Sequence, residues 1–155
     1  MEIRFAQAKD VAGILALLQQ VGKVHHDGRP DIFRAKAQKY GASQVLAMLD
    51  SSKNPIFVAI EQDKVVGYGF CQVKVYDHDP VMTDRTELYI DDLCVDEKCR
   101  GQGIGKRIYE EILRYAKMRH ANCVTLNVWC CNENAMNFYR SLGLTPQKIG
   151  MELQL

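Results

Sequence analysis

Several features that mark common protein classes are missing from this 155-residue chain. No apolar run approaches the roughly 20 residues that a membrane-spanning helix requires, and residues 1–5 contain no apolar core of a signal peptide. The chain carries 20 basic and 19 acidic residues, and its net charge of +1 is too small for nucleic-acid binding by bulk electrostatics. These absences predict a cytoplasmic protein with no membrane or nucleic-acid partner.

Cysteines are present, but none of the six forms a Cys-x-x-Cys pair, the spacing typical of zinc and redox motifs. In a reducing compartment they are predicted to be free thiols, several of them in the core. A zinc site built from Cys130 and Cys131 with His25 and His26 is the alternative, but the spacing favours no metal.

The length and composition are those of one globular domain. With 47% hydrophobic and 25% charged residues, 155 residues suffice to bury a substantial core. There is no internal repeat and no low-complexity segment. We therefore predict a single domain over residues 1–155.

The most informative stretch covers residues 88–118. An apolar strand pattern at 88–95 is followed by a polar connection at 96–99, a glycine-rich turn at 100–105 and apolar residues at helical spacing. A helix N-terminus leaves backbone N–H groups unpaired and carries partial positive charge. Glycines let such a backbone approach a ligand closely, so the pattern predicts an anion site, most simply a phosphate site.

Two common phosphate motifs do not fit this turn. A Walker A loop would need glycine at position 100 and Ser or Thr at 107, and both positions are arginine. A Rossmann fingerprint would need a third glycine at position 106, which is lysine. A glycine-rich turn without a ligand is the plain alternative.

Strand 88–95 contains an irregular alternation. Its apolar residues Leu88, Ile90, Leu93 and Val95 are separated by steps of two, three and two. Because side chains alternate between faces with period two, the step of three predicts an extra residue, a β-bulge near Asp91 and Asp92. The alternative is a plain strand with two exposed aspartates.

Other segments follow recognisable patterns. Strands are predicted at 2–6, 56–60, 65–75, 123–129 and 147–155, helices at 11–21, within 34–50, from 104 and from 132, a loop at 23–33 and a hairpin turn at 61–64. Gly22 is expected to end the first helix, and Asn132 to cap the last. Gly67 and Gly69 are expected to weaken their strand or permit close backbone approach.

Two motifs together resemble the GNAT superfamily of N-acetyltransferases. Arg100-x-x-Gly103-x-Gly105 is similar to the acetyl-CoA loop of that superfamily, and Asn132-x-x-Ala135-x-x-Phe138-Tyr139-x-x-x-Gly143 to its second signature. The resemblance is strongest over 88–143, and the segment after it is short for the usual two closing strands. It implies an α/β (α+β) fold: a mixed, mostly antiparallel sheet of six to seven strands with a splayed centre, flanked by about four helices.

The resemblance also implies site residues. Acetyl-CoA would be held by Leu93, Cys94, Val95, Arg100, Gly101, Gln102, Gly103, Ile104, Gly105, Lys106 and Asn132, without a metal. Tyr139 would be the general acid that protonates the leaving thiolate. Some members place a glutamate where this chain has Asn127, which cannot act as a base.

The paired acids offer a different base. Tyr-Ile-Asp-Asp-Leu-Cys-Val at 89–95 is similar to diamine and polyamine N-acetyltransferases, whose matching segment carries paired acids. By that match Asp91 is the base candidate and Asp92 binds the amine, with Glu87 in reserve; capping or surface aspartates are the plain alternative. A covalent acetyl-Cys94 route is disfavoured because no histidine lies nearby in sequence.

The predicted activity is acyl transfer. Acetyl-CoA, as co-substrate, would pass its acetyl group directly to a primary amine in a ternary complex, with a small amine or polyamine favoured as acceptor. A protein or peptide N-acetyltransferase and a non-catalytic acetyl-CoA-binding module stay open as alternatives. A homodimer is open as well.

Overall fold

The computed structural model describes all 155 residues. Five strands and four α-helices make up the fold. In chain order these are β1 (Glu2–Phe5), α1 (Val11–Gly28), α2 (Ala42–Leu49), β2 (Ile56–Glu61), β3 (Lys64–Tyr76), β4 (Arg85–Val95), α3 (Ile104–Met118), β5 (Cys123–Leu126) and α4 (Glu133–Ser141). None of the helices combines the length and the apolar composition that a bilayer-spanning segment requires.

The strands form one sheet in the order β1-β2-β3-β4-β5. The first four are antiparallel neighbours, and β5 lies parallel to β4. The β2–β3 hairpin closes through Gln62 and Asp63, which both adopt positive φ (48° and 60°), as a two-residue turn with the twist of the strands requires. The mixed, mostly antiparallel α/β class is confirmed, but the expected count of six to seven strands is wrong.

Helices cover both faces of the sheet. Helices α1 and α2 pack on one face over a cluster that includes Tyr68 and Cys94, and α3 packs on the other. Helix α3 lies so close to β3 that a Cβ at Gly67 or Gly69 would stand only 2.9 or 2.8 Å from isoleucine side chains of α3. Those two glycines therefore seat the helix that follows the glycine-rich turn.

The predicted bulge lies in β4. Phe70 of β3 pairs with Asp92, while the next residue, Cys71, pairs with Ile90, so Asp91 is the extra residue. Ile90 and Leu93 both pack on the α3 face. The two aspartates between them consequently project toward the opposite face, where α1 and α2 lie.

The end of α1 differs from the sequence expectation. Gly22 does not stop the helix, which continues to Gly28, so His25 and His26 lie in its last turn rather than in a loop. A Cβ at Gly22 would stand 2.2 Å from the carbonyl oxygen of Ala37. Glycine is present there because another segment crosses the helix, a tertiary reason that the local pattern does not reveal.

The expected strand over 147–155 is also absent. That segment has no strand partner, and its apolar side chains Ile149, Met151 and Leu153 are exposed. Arg29 instead bonds to Glu152 over 2.6 Å and holds the segment near the end of α1. Alternation of apolar and polar residues shows only that a segment is able to pair as a strand. It does not show that a free edge of the sheet lies beside that segment. Strand β5 likewise ends at Leu126 rather than at Trp129.

Candidate active site

An opening separates β4 from β5. The two strands pair only from Glu87 with Cys123 to Ile90 with Leu126. Beyond Ile90, β4 continues to Val95 with β3 on one side and no strand on the other. Leu93–Val95 therefore borders a gap between β4 and the edge strand β5, so the opening expected at the centre of the sheet lies between its last two strands.

The glycine-rich turn lies at the end of this gap. Gly101 and Gly103 adopt positive φ of 78° and 76°, a region that side chains with a Cβ rarely occupy. A Cβ at either position would meet nothing within 4 Å, so open space lies over the turn. Helix α3 begins at Ile104 with no side chain capping its first amides. The arrangement is that of an anion site at a helix N-terminus.

Gly105 has a different role, because it admits α4. A Cβ there would stand 3.2 Å from the Phe138 ring. The Asn132 side chain accepts a hydrogen bond of 3.1 Å from the amide of Ala135 and caps α4, as predicted. Helix α4 is thus fixed beside the first turn of α3, with Tyr139 one residue after the contacting phenylalanine.

Tyr139 is partly buried and lies near the bulge. Burial raises the pKa of its phenol well above the ordinary value, and the nearby Asp92 carboxylate raises this pKa further. Tyr139 therefore stays protonated at every physiological pH. The influence of Asp92 on this pKa also shows that Tyr139, the predicted general acid, lies near one of the two bulge aspartates.

The two bulge aspartates have different surroundings. Asp92 accepts a hydrogen bond of 2.8 Å from the Tyr68 hydroxyl, and burial raises its pKa above that of an ordinary aspartate. Asp91 accepts a hydrogen bond of 2.6 Å from the Tyr40 hydroxyl and forms an ion pair of 2.8 Å with Lys39. Asp92 is therefore desolvated, whereas Asp91 is held by a cation and a phenol.

Aromatic side chains form a contiguous group at the end of α1. The His25 ring stacks on Phe33 with centroids 4.9 Å apart, and Phe33 meets Trp129 edge-on at 5.2 Å. His25 is also one of the groups that lower the pKa of Asp92, so this aromatic group lies within electrostatic range of that carboxyl. Sequence reasoning singled out neither Phe33 nor Tyr40, because both belong to the irregular segment between α1 and α2, where no periodicity marks them.

Other predicted candidates lie elsewhere or are engaged. Glu87 is buried and accepts a hydrogen bond of 2.5 Å from the Thr125 hydroxyl, which ties it to β5 four residues before the bulge. The Asn127 amide donates to the Tyr89 hydroxyl over 3.2 Å. Burial raises the pKa of the Cys94 thiol to about 12, which disfavours a reactive thiolate and the acetyl-cysteine route.

The basic and polar residues of the turn are more peripheral. The Arg100 guanidinium donates to the carbonyl of Val95 over 3.2 Å and braces the turn against the end of β4. Lys106 approaches Glu110 at 3.9 Å and is largely exposed, and Gln102 is exposed. These side chains border the open space above the turn.

Possible metal ligands gather only at the surface. The side chains of Asp77, His78 and Asp84 bring ligand atoms within 4.8 Å of one another, all in an exposed loop. The four residues of the alternative zinc site, the two consecutive cysteines and the two histidines of α1, do not form such a group.

Comparisons with known proteins agree with this geometry. The model of the acetyltransferase (GNAT) family matches residues 22–144. A solved structure of a tetramutant of the BH1408 protein from Bacillus halodurans has a TM-score of 0.95 and 36% identity, covering 100% of both chains. An aminoglycoside N-acetyltransferase solved in complex with CoA has a TM-score of 0.72 over 99% of this chain and 98% of that one; at 11% identity it supports the fold alone.

Curated relatives are more distant in sequence. An uncharacterized N-acetyltransferase of Methanocaldococcus jannaschii is 26% identical over 77% of this chain, which spans about half (51%) of that relative's length. The thialysine N-epsilon-acetyltransferase of Mus musculus is 26% identical over 91% of this chain and 82% of its own. The family model, the full-length structural match and the glycine-rich turn at the gap in the sheet agree, and the chain belongs to the GNAT family of acetyltransferases.

Proposed function

We propose that this protein transfers an acetyl group from acetyl-CoA to a primary amine by direct attack in a ternary complex. The observation that carries the proposal is the β4 segment Leu93–Val95, which has no strand partner on its β5 side and is followed, after the glycine-rich turn, by the uncapped N-terminus of α3. A diphosphate at that helix end and an extended thioester arm along the strand would each meet free backbone groups.

The turn at 100–105 is the proposed diphosphate site. Its support is the pair of positive-φ glycines, the open space above them and the uncapped first turn of α3. The amides, rather than any one side chain, would supply most of the contacts, and Lys106 would add positive charge at the rim. Asn132 remains proposed as a cofactor contact in addition to its capping role.

The β4 edge is the proposed site of acetyl activation. As the amine attacks, negative charge develops on the thioester oxygen, and a fixed N–H donor there stabilises the transition state more than the ground state. The segment Leu93–Val95 is where β4 continues without a strand on its β5 side, and its backbone is proposed to supply this donor. The pairing of β4 with β5 ends immediately before the bulge, which supports a role for the bulge in opening the sheet there.

Tyr139 is proposed to protonate the leaving thiolate. Its raised pKa keeps the proton on the phenol until a strong base, such as a departing thiolate in a buried site, is beside it. The proximity of Asp92 supports this role, because acid and base would then lie on two sides of one reaction centre.

The bulge acids are proposed to receive the amine as a pair. An ammonium must lose a proton before its nitrogen can attack, so the site needs both a cation-binding group and a base. Asp91, already engaged by a lysine ammonium, is proposed to bind the cation. Asp92, whose pKa is raised by burial, is proposed to accept the proton. The contacts thus favour the reverse of the division first inferred from the sequence.

A small amine is the proposed acceptor. The two acids favour a cation, and the wall formed by His25, Phe33 and Trp129 offers an apolar surface beside them. A relative named for acetylating thialysine at its ε-amine, similar over 91% of this chain, agrees with an alkyl ammonium of this kind.

The test is a thiol-release assay with acetyl-CoA and a panel of monoamines, diamines, polyamines, aminoglycosides and peptides with a free α-amine. We expect thiol release that depends on at least one small alkyl amine, with the acetylated amine identified by mass spectrometry. Preference for peptides would move the acceptor to a protein. Acetyl-CoA binding with no amine-dependent release would reduce the protein to a binding module and refute the proposed transfer.

A further inference from the structure

A primary amine of the chain itself occupies the proposed amine site. The Nζ atom of Lys39 lies 2.8 Å from a carboxylate oxygen of Asp91 and donates a hydrogen bond of 3.1 Å to the backbone carbonyl of the same residue. The two residues are 52 positions apart in sequence. The long loop between α1 and α2 therefore delivers a lysine to the bulge.

This contact is more enclosed than an ordinary surface ion pair. The Asp91 side chain is 11% exposed and also accepts the Tyr40 hydroxyl at 2.6 Å. Lys39 is 44% exposed, so its stem keeps room to move while its ammonium is held. The charge of Lys39 also lowers the pKa of Asp92, so the ammonium that contacts Asp91 interacts electrostatically with Asp92 as well.

No other lysine is placed in this way. Lys23 pairs with Asp27 along the exposed side of α1, and Lys106 approaches Glu110 along α3. Lys74 lies on the same sheet but approaches Glu87, at 4.0 Å, before the bulge. Among these lysines, Lys39 alone places its primary amine against an acid of the β4 bulge.

We propose that the protein acetylates its own Lys39 on Nζ. The inference rests on the proposed function, since it uses the same acetyl-CoA, acids and phenol. The ammonium gives one proton to the Asp91–Asp92 pair and from there to solvent. The nitrogen then attacks the thioester carbonyl, the C–N bond forms and the C–S bond breaks, and the second proton lost by nitrogen balances the one that the thiolate gains from Tyr139.

Acetylation would change the site that it uses. An Nζ-acetyl group makes the side chain neutral, so the ion pair with Asp91 is lost. The carboxylate is then free for the ammonium of an external amine. Lys39 would act both as a first acceptor and as the cation that external amines replace.

The test incubates the full chain with acetyl-CoA and no added amine, and follows each lysine by peptide mass spectrometry. We expect Lys39 to be acetylated first, to one acetyl group per chain, at a rate independent of protein concentration. Lys39→Arg keeps the positive charge but removes the acceptor, and should end this modification. Lys74→Arg is the matched control and should leave the acetylation of Lys39 unchanged.

A catalysed reaction is separated from spontaneous chemistry by the acid–base residues. In Asp92→Asn and Tyr139→Phe, shown by circular dichroism to be folded, acetylation of Lys39 should slow by roughly 100-fold, the usual contribution of a general acid or base. Equal acetylation of Lys23 and Lys39, the same rate in these variants, or a rate proportional to protein concentration would each overturn the proposal.

The outcomes also separate this inference from the proposed function. If small amines are acetylated but Lys39 stays unmodified while acetyl-CoA turns over, self-acetylation is refuted and the acetyltransferase proposal stands. If neither an external amine nor Lys39 is acetylated, both are refuted.

Discussion

The hydroxyl of Tyr68 donates a hydrogen bond of 2.8 Å to the carboxylate of Asp92, at the bulge that turns two consecutive acids toward one face of the sheet. Tyr68 is fully buried, so the contact fixes the carboxylate at the floor of the site. Burial raises the pKa of Asp92, and the Tyr68 hydrogen bond and nearby positive charges offset part of that rise. The result is an aspartate that is both fixed and more basic than usual.

Substituting Asp92 by asparagine should separate activity from stability. Because the folded-state pKa of Asp92 lies above the unfolded value, its contribution to stability is full below the unfolded pKa and is lost as the pH rises through the folded pKa. Asparagine removes an ionisation that burial disfavours, while its side-chain oxygen can still accept the hydrogen bond from Tyr68. We expect turnover to fall and the urea midpoint at pH 7 to be unchanged or higher.

Asp63→Asn is the control for that substitution, since Asp63 lies exposed in the β2–β3 turn, where asparagine tolerates the same positive φ. It should leave turnover and urea midpoint alike unaffected. A strongly destabilised Asp92→Asn protein at pH 7, or one with full turnover, would contradict the environment assigned to Asp92.

The pH dependence of kcat should identify the base. At saturating amine, kcat should decline as the pH falls through the pKa of Asp92, at a pH above the value of about 3.9 for an ordinary aspartate. Asp91→Asn should raise the KM for the amine and retain this acidic limb, whereas Asp92→Asn should abolish it. The assignment of the base to Asp92 fails if the limb is the same in Asp92→Asn.

Removing the Tyr139 hydroxyl should slow the chemical step. Tyr139→Phe keeps the ring packed in α4 but takes away the proton donor, so kcat should drop by roughly 100-fold with little change in acetyl-CoA affinity. Steady-state kinetics and calorimetry measure the two quantities. Tyr76→Phe, at the far end of β3, is the control and should behave as the unmodified protein. An unchanged kcat would remove Tyr139 from the acid role.

The glycine-rich turn can be tested through its backbone. Gly103→Val forces a β-branched residue to a φ of 76°, which costs about 1–2 kcal/mol or makes the turn rearrange. We expect acetyl-CoA binding to be lost in calorimetry while circular dichroism shows a folded protein. Gly143→Val places the same strain at a φ of 89° beyond α4 and should retain acetyl-CoA binding. Equal affinity in both variants would argue against the phosphate site.

The parts of the fold that the sequence predicted well are those set by local spacing. The steps of two, three and two along β4 led to the bulge at Asp91, because the side-chain period of a strand is fixed by its backbone. Asn132 capped its helix as expected, because capping involves only neighbouring residues. Gly101 and Gly103 adopt positive φ, which is also a local property, because a residue without a Cβ enters that region at little cost.

The features that the sequence did not predict depend on distant segments. Gly22 looked like a helix stop but is required by the crossing of Ala37. The alternation in 147–155 predicted a strand, yet a strand forms only beside a free sheet edge contributed by other segments, and 147–155 has no strand partner. The contact of Lys39 with Asp91 spans 52 residues and arises from a loop without periodicity. The sequence thus pointed to the two aspartates of the acceptor side but not to the lysine that balances their charge.

Acetyl-CoA is proposed to bind along the open β4 edge and at the glycine-rich turn, and a crystal structure with the thioester bound is the decisive experiment. We expect the diphosphate oxygens within hydrogen-bond distance of the amides of residues 101–105. We also expect the pantetheine arm along Leu93–Val95 in the gap beside β5, with the acetyl group next to Tyr139. Acetyl-CoA bound on another surface, with those amides turned against protein atoms, would contradict this proposal.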